Sequence, residues 1–214
     1  MKTILKITTL FLLIFTATLI IVSCDKDDDT KTPEESKPTL SNSDIEGLVF
    51  MREEEKLARD SYLTLYQLWG DQVFNNIAKS EQTHMDLLYQ RMEKYGITDK
   101  DVILPDTGKF TNKDLQNLYN QLMAQGKDST IAAFIVGATI EEVDIVDLAK
   151  YIDKTDNEDL KCTYTVLTTG SRNHLRAFVR SMNNRGYSYS PQYLSQDDYD
   201  KIINGSHEKA PSCD

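Results

Sequence analysis

Four long stretches of this chain repeat apolar residues at intervals of three and four, which is the spacing of one face of an α-helix. Such helices must bury their apolar faces against one another, so the pattern predicts an all-α bundle. The four stretches cover residues 43–69, 71–96, 129–152 and 155–186.

Residues at the ends of these stretches favour the same boundaries. Ser43-Asp44-Ile45-Glu46 and Thr155-Asp156-Asn157-Glu158 match the capping box that begins many helices. Gly70 ends the first helix, and Asp71 can cap the second. Because this connection is so short, the first two helices are expected to be antiparallel.

The pattern breaks between Gly96 and Ser129, where only a short amphipathic piece at 115–124 interrupts the loop. Two helical hairpins joined by one long crossover form the ferritin-like version of the four-helix bundle. The segment 187–193 is expected to lie extended over the end of this bundle. A short C-terminal helix is expected to begin near Ser195.

The first 23 residues have the layout of a secretory signal and not of a fold element. Lys2 and Lys6 precede an apolar block at 10–22 that stops at Ser23-Cys24. This ending resembles a bacterial lipobox, which makes Cys24 the expected lipidated residue. An uncleaved transmembrane anchor is the alternative, because the apolar run could nearly span a bilayer.

Residues 24–40 are predicted to form an acidic flexible tether, since they lack apolar periodicity. The run after Cys24 resembles the signal that exports some bacterial lipoproteins to the outer face of the outer membrane. We therefore expect an extracytoplasmic lipoprotein in the outer membrane, with the cell surface as one location. The bundle domain is expected at 41–205, and residues 206–214 are expected to fray.

The net charge limits the kinds of partner that the chain can bind, and the cysteine content limits its disulfides. The chain carries 24 Lys and Arg against 34 Asp and Glu, and removal of residues 1–23 changes the net charge from −10 to −12. Nucleic acid is thus not an expected partner. The membrane is an expected partner, because the lipid anchor would insert into it. A homodimer is also compatible with the sequence. Cys162 and Cys213 could form one bridge, but nothing in the sequence requires it, and Cys162 is expected to be a small buried residue.

Several polar residues occupy positions that should face the core. Glu55 lies in a heptad series with Leu48 and Tyr62, and Glu81 lies between Phe74 and Leu88 in another. The third helix offers either of two adjacent glutamates, and the fourth offers one histidine. The inward set is therefore Glu55, Glu81, His84, Glu141 or Glu142, and His174.

Buried carboxylates at one level of a bundle repel one another unless a cation compensates them. Glu81 and His84 are three residues apart, so they lie side by side on one helix face. Carboxylates with imidazoles suit iron, manganese or zinc. The pattern therefore predicts a metal site. The alternative is a metal-free polar network in which Arg59 and Arg172 neutralise the inward carboxylates, with Glu53 and Glu54 on a solvated face.

These motifs resemble known families. Glu55-Lys56-Leu57-Ala58-Arg59-Asp60-Ser61-Tyr62 and Ile77-Ala78-Lys79-Ser80-Glu81-Gln82-Thr83-His84-Met85 are similar to the first two helices of rubrerythrins. The chain from about Ile45 to Ile203 resembles the DUF2202 family of ferritin-like domains, which has no settled function. Its marks are Glu53-Glu54-Glu55-Lys56-Leu57-Ala58-Arg59, Ser80-Glu81-Gln82-Thr83-His84, Ile140-Glu141-Glu142 and Gly170-Ser171-Arg172-Asn173-His174.

The resemblance implies that the residues of the inward set are metal ligands. The chain departs from the family pattern at one position. A di-iron pattern requires a glutamate three residues before the last histidine, where this chain has Ser171. Asp144 or water could take its place.

Two functions from different classes follow from the resemblance. The first is a non-haem iron oxidoreductase, with one or two irons, acting on dioxygen, peroxide or ferrous iron. Because the chain has no Cys-x-x-Cys module, its electron donor is unknown. The alternative is a non-catalytic lipoprotein with a single structural metal or a metal-free polar core.

Overall fold

The computed structural model describes residues 39–98 and 104–213, and every regular element within them is α-helical. The predicted all-α class is thus confirmed. The six helices are α1 (Asn42–Trp69), α2 (Gln72–Lys94), α3 (Lys113–Gly126), α4 (Thr130–Lys154), α5 (Glu158–Asn183) and α6 (Gln196–Asn204).

Four long helices form the bundle. α1 packs along α2, and α4 packs along α5, which gives the two predicted hairpins. The hairpins join because α1 also contacts α4 and α2 contacts α5. α3 lies within the long crossover and packs on α4 and α1, while the short α6 packs on α5.

The residues predicted to cap α1 and α5 were wrong, although both helices begin close to the predicted positions. α1 is capped by Ser41 and not Ser43, since Ser41 Oγ accepts from the Asp44 N–H at 3.1 Å and the Asp44 carboxylate accepts from the Ser41 N–H at 3.0 Å. α5 is capped by Asn157, whose side chain accepts from the Leu160 N–H. Thr155 instead donates its hydroxyl to Asp44, which ties the start of α5 to the start of α1.

Apolar side chains fill both ends of the bundle and leave a polar level between them. Towards one end, the Phe74 ring stacks on Phe134 with centroids 5.2 Å apart and also contacts Phe178. The other end is filled by Leu48, Met51, Leu88, Met92, Leu148, Leu160, Tyr164 and Leu167. Water is thereby excluded above and below the inward-facing glutamates and histidines.

A buried lysine fixes the crossover to α1. Lys56 is only 1% exposed, and its Nζ donates to Asp60 Oδ2 at 2.6 Å. The same Nζ also donates to the carbonyls of Asp106 and Lys109, both at 3.0 Å. A buried ammonium is tolerated only when it is paired and hydrogen-bonded, so these contacts hold the crossover in place.

The expectation of a solvated face for Glu53 and Glu54 was wrong. Both side chains are buried, Glu53 beneath the crossover and Glu54 against α4. Glu53 accepts from the backbone N–H groups of Thr111 and Asn112 at the start of α3. Glu54 lies near Asp147 of α4, and burial together with that carboxylate raises its pKa well above the usual value.

The C-terminal tail is also held, contrary to the expectation that 206–214 would fray. Glu208 forms ion pairs with Arg172 and Arg176 of α5. Cys213 forms a disulfide with Cys162, which corrects the expectation of an unpaired buried thiol. The tail therefore lies along α5 up to its last described residue.

The predicted signal peptide, the lipidation site at Cys24 and most of the tether lie outside the described residues. Among the residues that are described, no helix has the length and apolar character needed to span a membrane.

The disulfide generates a stability prediction. It closes a loop of 51 residues, which should stabilise the fold by about 2–4 kcal/mol. We expect a Cys162→Ser/Cys213→Ser variant to lose about that much free energy of unfolding in urea denaturation. Wild-type protein in reductant should fall to the same value, and a wild type that reductant leaves unchanged would contradict the assignment.

Candidate metal centre

Five of the six sequence-predicted ligands meet at one level of the bundle. They come from all four long helices, because each occupies the inward position between the two apolar ends. All have side chains at most 12% exposed. The five are Glu55, Glu81, His84, Glu141 and His174.

Glu81 occupies the centre of this cluster and divides its two oxygens between two histidines. Its Oε2 lies 2.8 Å from His84 Nδ1. Its Oε1 lies 2.9 Å from His174 Nδ1 without the alignment of a hydrogen bond. The two imidazole rings are stacked with centroids 5.6 Å apart.

A second carboxylate flanks each histidine. Glu55 Oε2 lies 3.1 Å from His84 Nδ1, and Glu141 Oε2 lies 3.5 Å from His174 Nδ1. The cluster therefore consists of two three-residue groups that share Glu81: Glu55, Glu81 and His84, and Glu81, Glu141 and His174. Within each group the ligand atoms lie no more than 4.8 Å apart.

Neighbouring hydroxyl groups orient this set. Tyr62 is fully buried, and its hydroxyl donates to Glu141 Oε1 at 2.5 Å. The outer nitrogen of His174, Nε2, lies 3.0 Å from Ser80 Oγ. Such contacts to the far side of a ligand fix its orientation and its tautomer.

The electrostatics of the cluster require positive charge between the carboxylates. Burial opposes the charged form of His84, but Glu55 and Glu81 outweigh it and hold its pKa well above the usual value. Burial likewise opposes the charged form of His174, but Glu81 and Glu141 together outweigh it and raise the pKa of His174 to about 10. In contrast, burial raises the pKa of Glu55 and of Glu141 to about 7.

Within the part of the chain that the structure describes, several buried oxygen atoms of this region have no hydrogen-bond partner. They are Glu55 Oε1, Glu81 Oε1 and Asp144 Oδ1. Leaving a buried polar atom unsatisfied costs about 1–3 kcal/mol. Protons on both imidazoles, or metal ions at Nδ1, would each supply the missing positive charge, and the carboxylate and imidazole donors suit iron, manganese or zinc.

Glu142 lies outside the cluster, which decides the alternative that the sequence left open. Its carboxylate accepts from the Tyr189 hydroxyl at 2.7 Å. It also accepts from the backbone N–H groups of Gln192, Tyr193 and Leu194. Glu142 therefore holds the segment after α5 against α4, a role that the periodicity of α4 could not reveal.

Ser171 hydrogen-bonds a carboxylate from the neighbouring helix. Its hydroxyl donates to Asp144 Oδ2, and both side chains are buried. The pKa of Asp144 is raised well above its usual value by burial, then by Glu55 and Glu54, with a smaller contribution from Glu141. Asp144 thus borders both three-residue groups, although it belongs to neither.

The two arginines considered for a metal-free network pair elsewhere. Arg59 donates to Asp60 at 2.8 Å and to Gln82 Oε1 at 2.6 Å. Arg172 pairs with Glu208 of the tail. Neither guanidinium neutralises the cluster.

Sequence reasoning missed two supporting residues on the histidine side. Ser80 begins the Ser80–His84 motif, four residues before His84 and next to Glu81, but the sequence pattern alone assigned it no role. Gly170 contacts the other histidine ring, since an added Cβ would lie 2.6 Å from His84 Cε1 and Nε2. A glycine within an otherwise regular helix was the available signal.

Comparison with known proteins agrees with the motif resemblance. Residues 44–206 match the family described as "Uncharacterized protein domain (DUF2202)". The chain belongs to the DUF2202 family.

The chain is also similar to a protein of known structure. The uncharacterized protein MJ0754 of Methanocaldococcus jannaschii is 53% identical over 173 residues, which cover 81% of this chain and 93% of that protein. The crystal structure of this hypothetical protein superposes with a TM-score of 0.77 and covers 80% of this chain and 98% of the solved chain. The DUF2202 fold is thereby supported by an experimental structure, while neither name states an activity.

Close packing of Gly170 against His84 can be tested. We expect Gly170→Ala to lower the free energy of unfolding by about 1–3 kcal/mol, because the methyl group overlaps the ring. In a His84→Ala background the same change should be neutral or stabilising, since alanine favours the helix over glycine by about 1 kcal/mol. Equal destabilisation in both backgrounds, measured by urea denaturation, would show that His84 is not the obstacle.

Proposed function

We propose that this protein is a ferritin-like metal-binding lipoprotein and a non-haem iron oxidoreductase that acts on dioxygen, peroxide or ferrous iron. The observation that carries the proposal is the position of Glu81 between two histidines, which divides the cluster into two ligand groups. Manganese or zinc fits the same donors. The lipid anchor at Cys24, the outer-membrane location and an unidentified electron donor are parts of this proposal that follow from the sequence alone.

The residues fit a pair of divalent ions. Each ion would have one histidine and one glutamate of its own, with Glu81 shared between them. The unpartnered oxygens of Glu55 and Glu81 and the Nδ1 of His174 would then gain a partner. A pair of iron ions would supply redox chemistry towards dioxygen or peroxide.

The chain's own residues prepare this chemistry in three ways. The apolar clusters at both ends of the bundle exclude water, which strengthens the interactions of the carboxylates. Tyr62 holds Glu141 through a hydrogen bond of 2.5 Å and carries a proton at the edge of the cluster. Ser80 can accept the Nε2 proton of His174, which leaves Nδ1 free as a ligand atom.

A non-catalytic protein with a single structural metal is the second candidate. Ser171 favours it, because a serine occupies the position where a di-iron pattern has a bridging glutamate. A single zinc ion held by one of the two ligand groups would stabilise the bundle without redox chemistry.

The adjacent residues Glu141 and Glu142 of α4 provide a matched test of metal binding, since only Glu141 belongs to a ligand group. Purified under anaerobic, iron-replete conditions, the wild type should contain about two irons per chain by elemental analysis, one for each ligand group. Glu141→Gln should lower that content, because it removes a charged ligand. Glu142→Gln should leave it unchanged while lowering the free energy of unfolding by about 1–3 kcal/mol, because Glu142 holds three backbone N–H groups.

The outcomes separate the candidate functions. A single zinc that is lost in Glu141→Gln or in Glu55→Gln would support the structural alternative. Absence of metal from the wild type, with the stability of Glu141→Gln and Glu55→Gln unchanged, would overturn both metal proposals.

Redox activity needs its own assay. Protein loaded with ferrous iron should oxidise it on exposure to dioxygen or hydrogen peroxide faster than a Glu81→Gln/His84→Gln variant, which removes the shared carboxylate and one imidazole. A ferrous chelator would follow the remaining iron. Equal rates for wild type, variant and buffer would contradict the oxidoreductase and leave metal storage or structure.

A further inference from the structure

A cavity of about 620 Å³ runs along α5 on the outer side of the cluster. Ser80, Gly170 and the proposed ligand His174 line it at the cluster, whereas Arg180 and Asn183 line it further along α5. Its remaining lining comes from α5 itself and from the segment 203–207. This volume is in the range of small-molecule sites.

The charge of this cavity differs from that of the chain as a whole. Among the residues that the structure describes, its lining contains two arginines and two histidines but no aspartate or glutamate. The whole chain has a net charge of −10. A concave surface with one sign of charge concentrates ligands of the opposite sign, so the cavity favours an anion.

The two arginines have different partners. Arg176 already has partners in the C-terminal segment that lines the cavity opposite α5. Its Nη2 lies 2.5 Å from Glu208 Oε1, and its Nε donates to the Ile202 carbonyl at 2.7 Å. Within residues 39–98 and 104–213, the exposed guanidinium of Arg180 has no partner. Asn183 lies one helical turn further on the same face. Arg180 is therefore the cation that remains available to a ligand.

The wall opposite α5 is fixed and does not depend on a ligand. Asn173 Oδ1 accepts from the Glu208 N–H at 2.9 Å, and Arg172 donates to Glu208 Oε2 at 2.8 Å. The disulfide between Cys162 and Cys213 anchors the end of the same tail. A wall held in this way reduces the ordering that binding would otherwise require.

We propose that this cavity binds a small organic carboxylate. The carboxylate contacts Arg180, and the apolar body lies along Ala177 and Ile203 towards Ser80 and His174. His174 and Arg180 are six residues apart on α5, which corresponds to about 9 Å and suits a short acid. Binding itself does not require metal, whereas a role of this acid as substrate or reductant rests on the proposed function.

Hexanoate is a suitable probe for this site. We expect it to shift the amide resonances of Gly170 and Gly205 saturably in the full chain, freed of metal by a chelator, with a dissociation constant of about 1 mM. Arg180→Gln should weaken binding about tenfold, because it removes a charge-assisted hydrogen bond. Lys161→Gln, the same charge change on the same helix outside the cavity, should have no effect.

The proposal fails if hexanoate gives no saturable shifts at these glycines, or if Arg180→Gln and Lys161→Gln behave alike. Inorganic phosphate should bind more weakly than hexanoate, because it lacks an apolar body, and equal affinity would overturn the assignment to an organic acid. Since all samples are free of metal, loss of the iron proposal would leave these results unchanged.

Discussion

The carboxylate of Glu81, held between two imidazoles, is the contact on which the polar centre of the bundle depends. Each of its oxygens lies within 3 Å of a histidine nitrogen. The histidines in turn face Glu55 and Glu141. Because these like charges are buried, the cluster is stable only with positive charge between them, whether from protons or from metal ions. All four long helices must therefore keep one register, since each contributes to this level.

The surrounding structure closes that level at both ends of the bundle and holds it against rearrangement. Apolar side chains close both ends of the bundle, and Lys56 fixes the crossover against α1. Glu142 fixes the segment after α5 in a similar way. These supports use buried charges that accept or donate several hydrogen bonds at once. They hold backbone segments that have no regular structure of their own.

Periodicity was sufficient for the helices and for most of the cluster. Glu55 and Glu81 interrupt heptad series of large apolar residues, so their inward direction could be predicted before any contact was known. Glu141 and Glu142 could not be separated, because α4 is buried on the side of each of them. Their difference depends on Tyr189 and the backbone beyond it, whose path carries no periodic signal.

The other incorrect predictions also concern residues whose surroundings are set by distant parts of the chain. Glu53 lies on a side of α1 that a simple bundle exposes to solvent but that the crossover covers here, whereas Glu54 is buried near Asp147 of α4. The pairing of Cys162 with Cys213 depends on where the tail runs along α5. Segments without periodic patterning are positioned by such long-range contacts, and a single sequence does not contain them in a readable form.

Ser171 and Asp144 bear on whether one or two metal ions suit the cluster. A serine on α5 removes a carboxylate from the expected pattern, but its hydroxyl binds the carboxylate of Asp144 on α4. The carboxylate that α5 lacks at this position is therefore supplied by Asp144 of α4. Counted with Glu55, Glu81 and Glu141, it gives four buried carboxylates that border the two ligand groups, and Glu54 lies beside Asp144 as a fifth. Without a cation, burial favours the protonated form of Asp144, whereas divalent ions with neutral imidazoles would compensate the ionised members of the set.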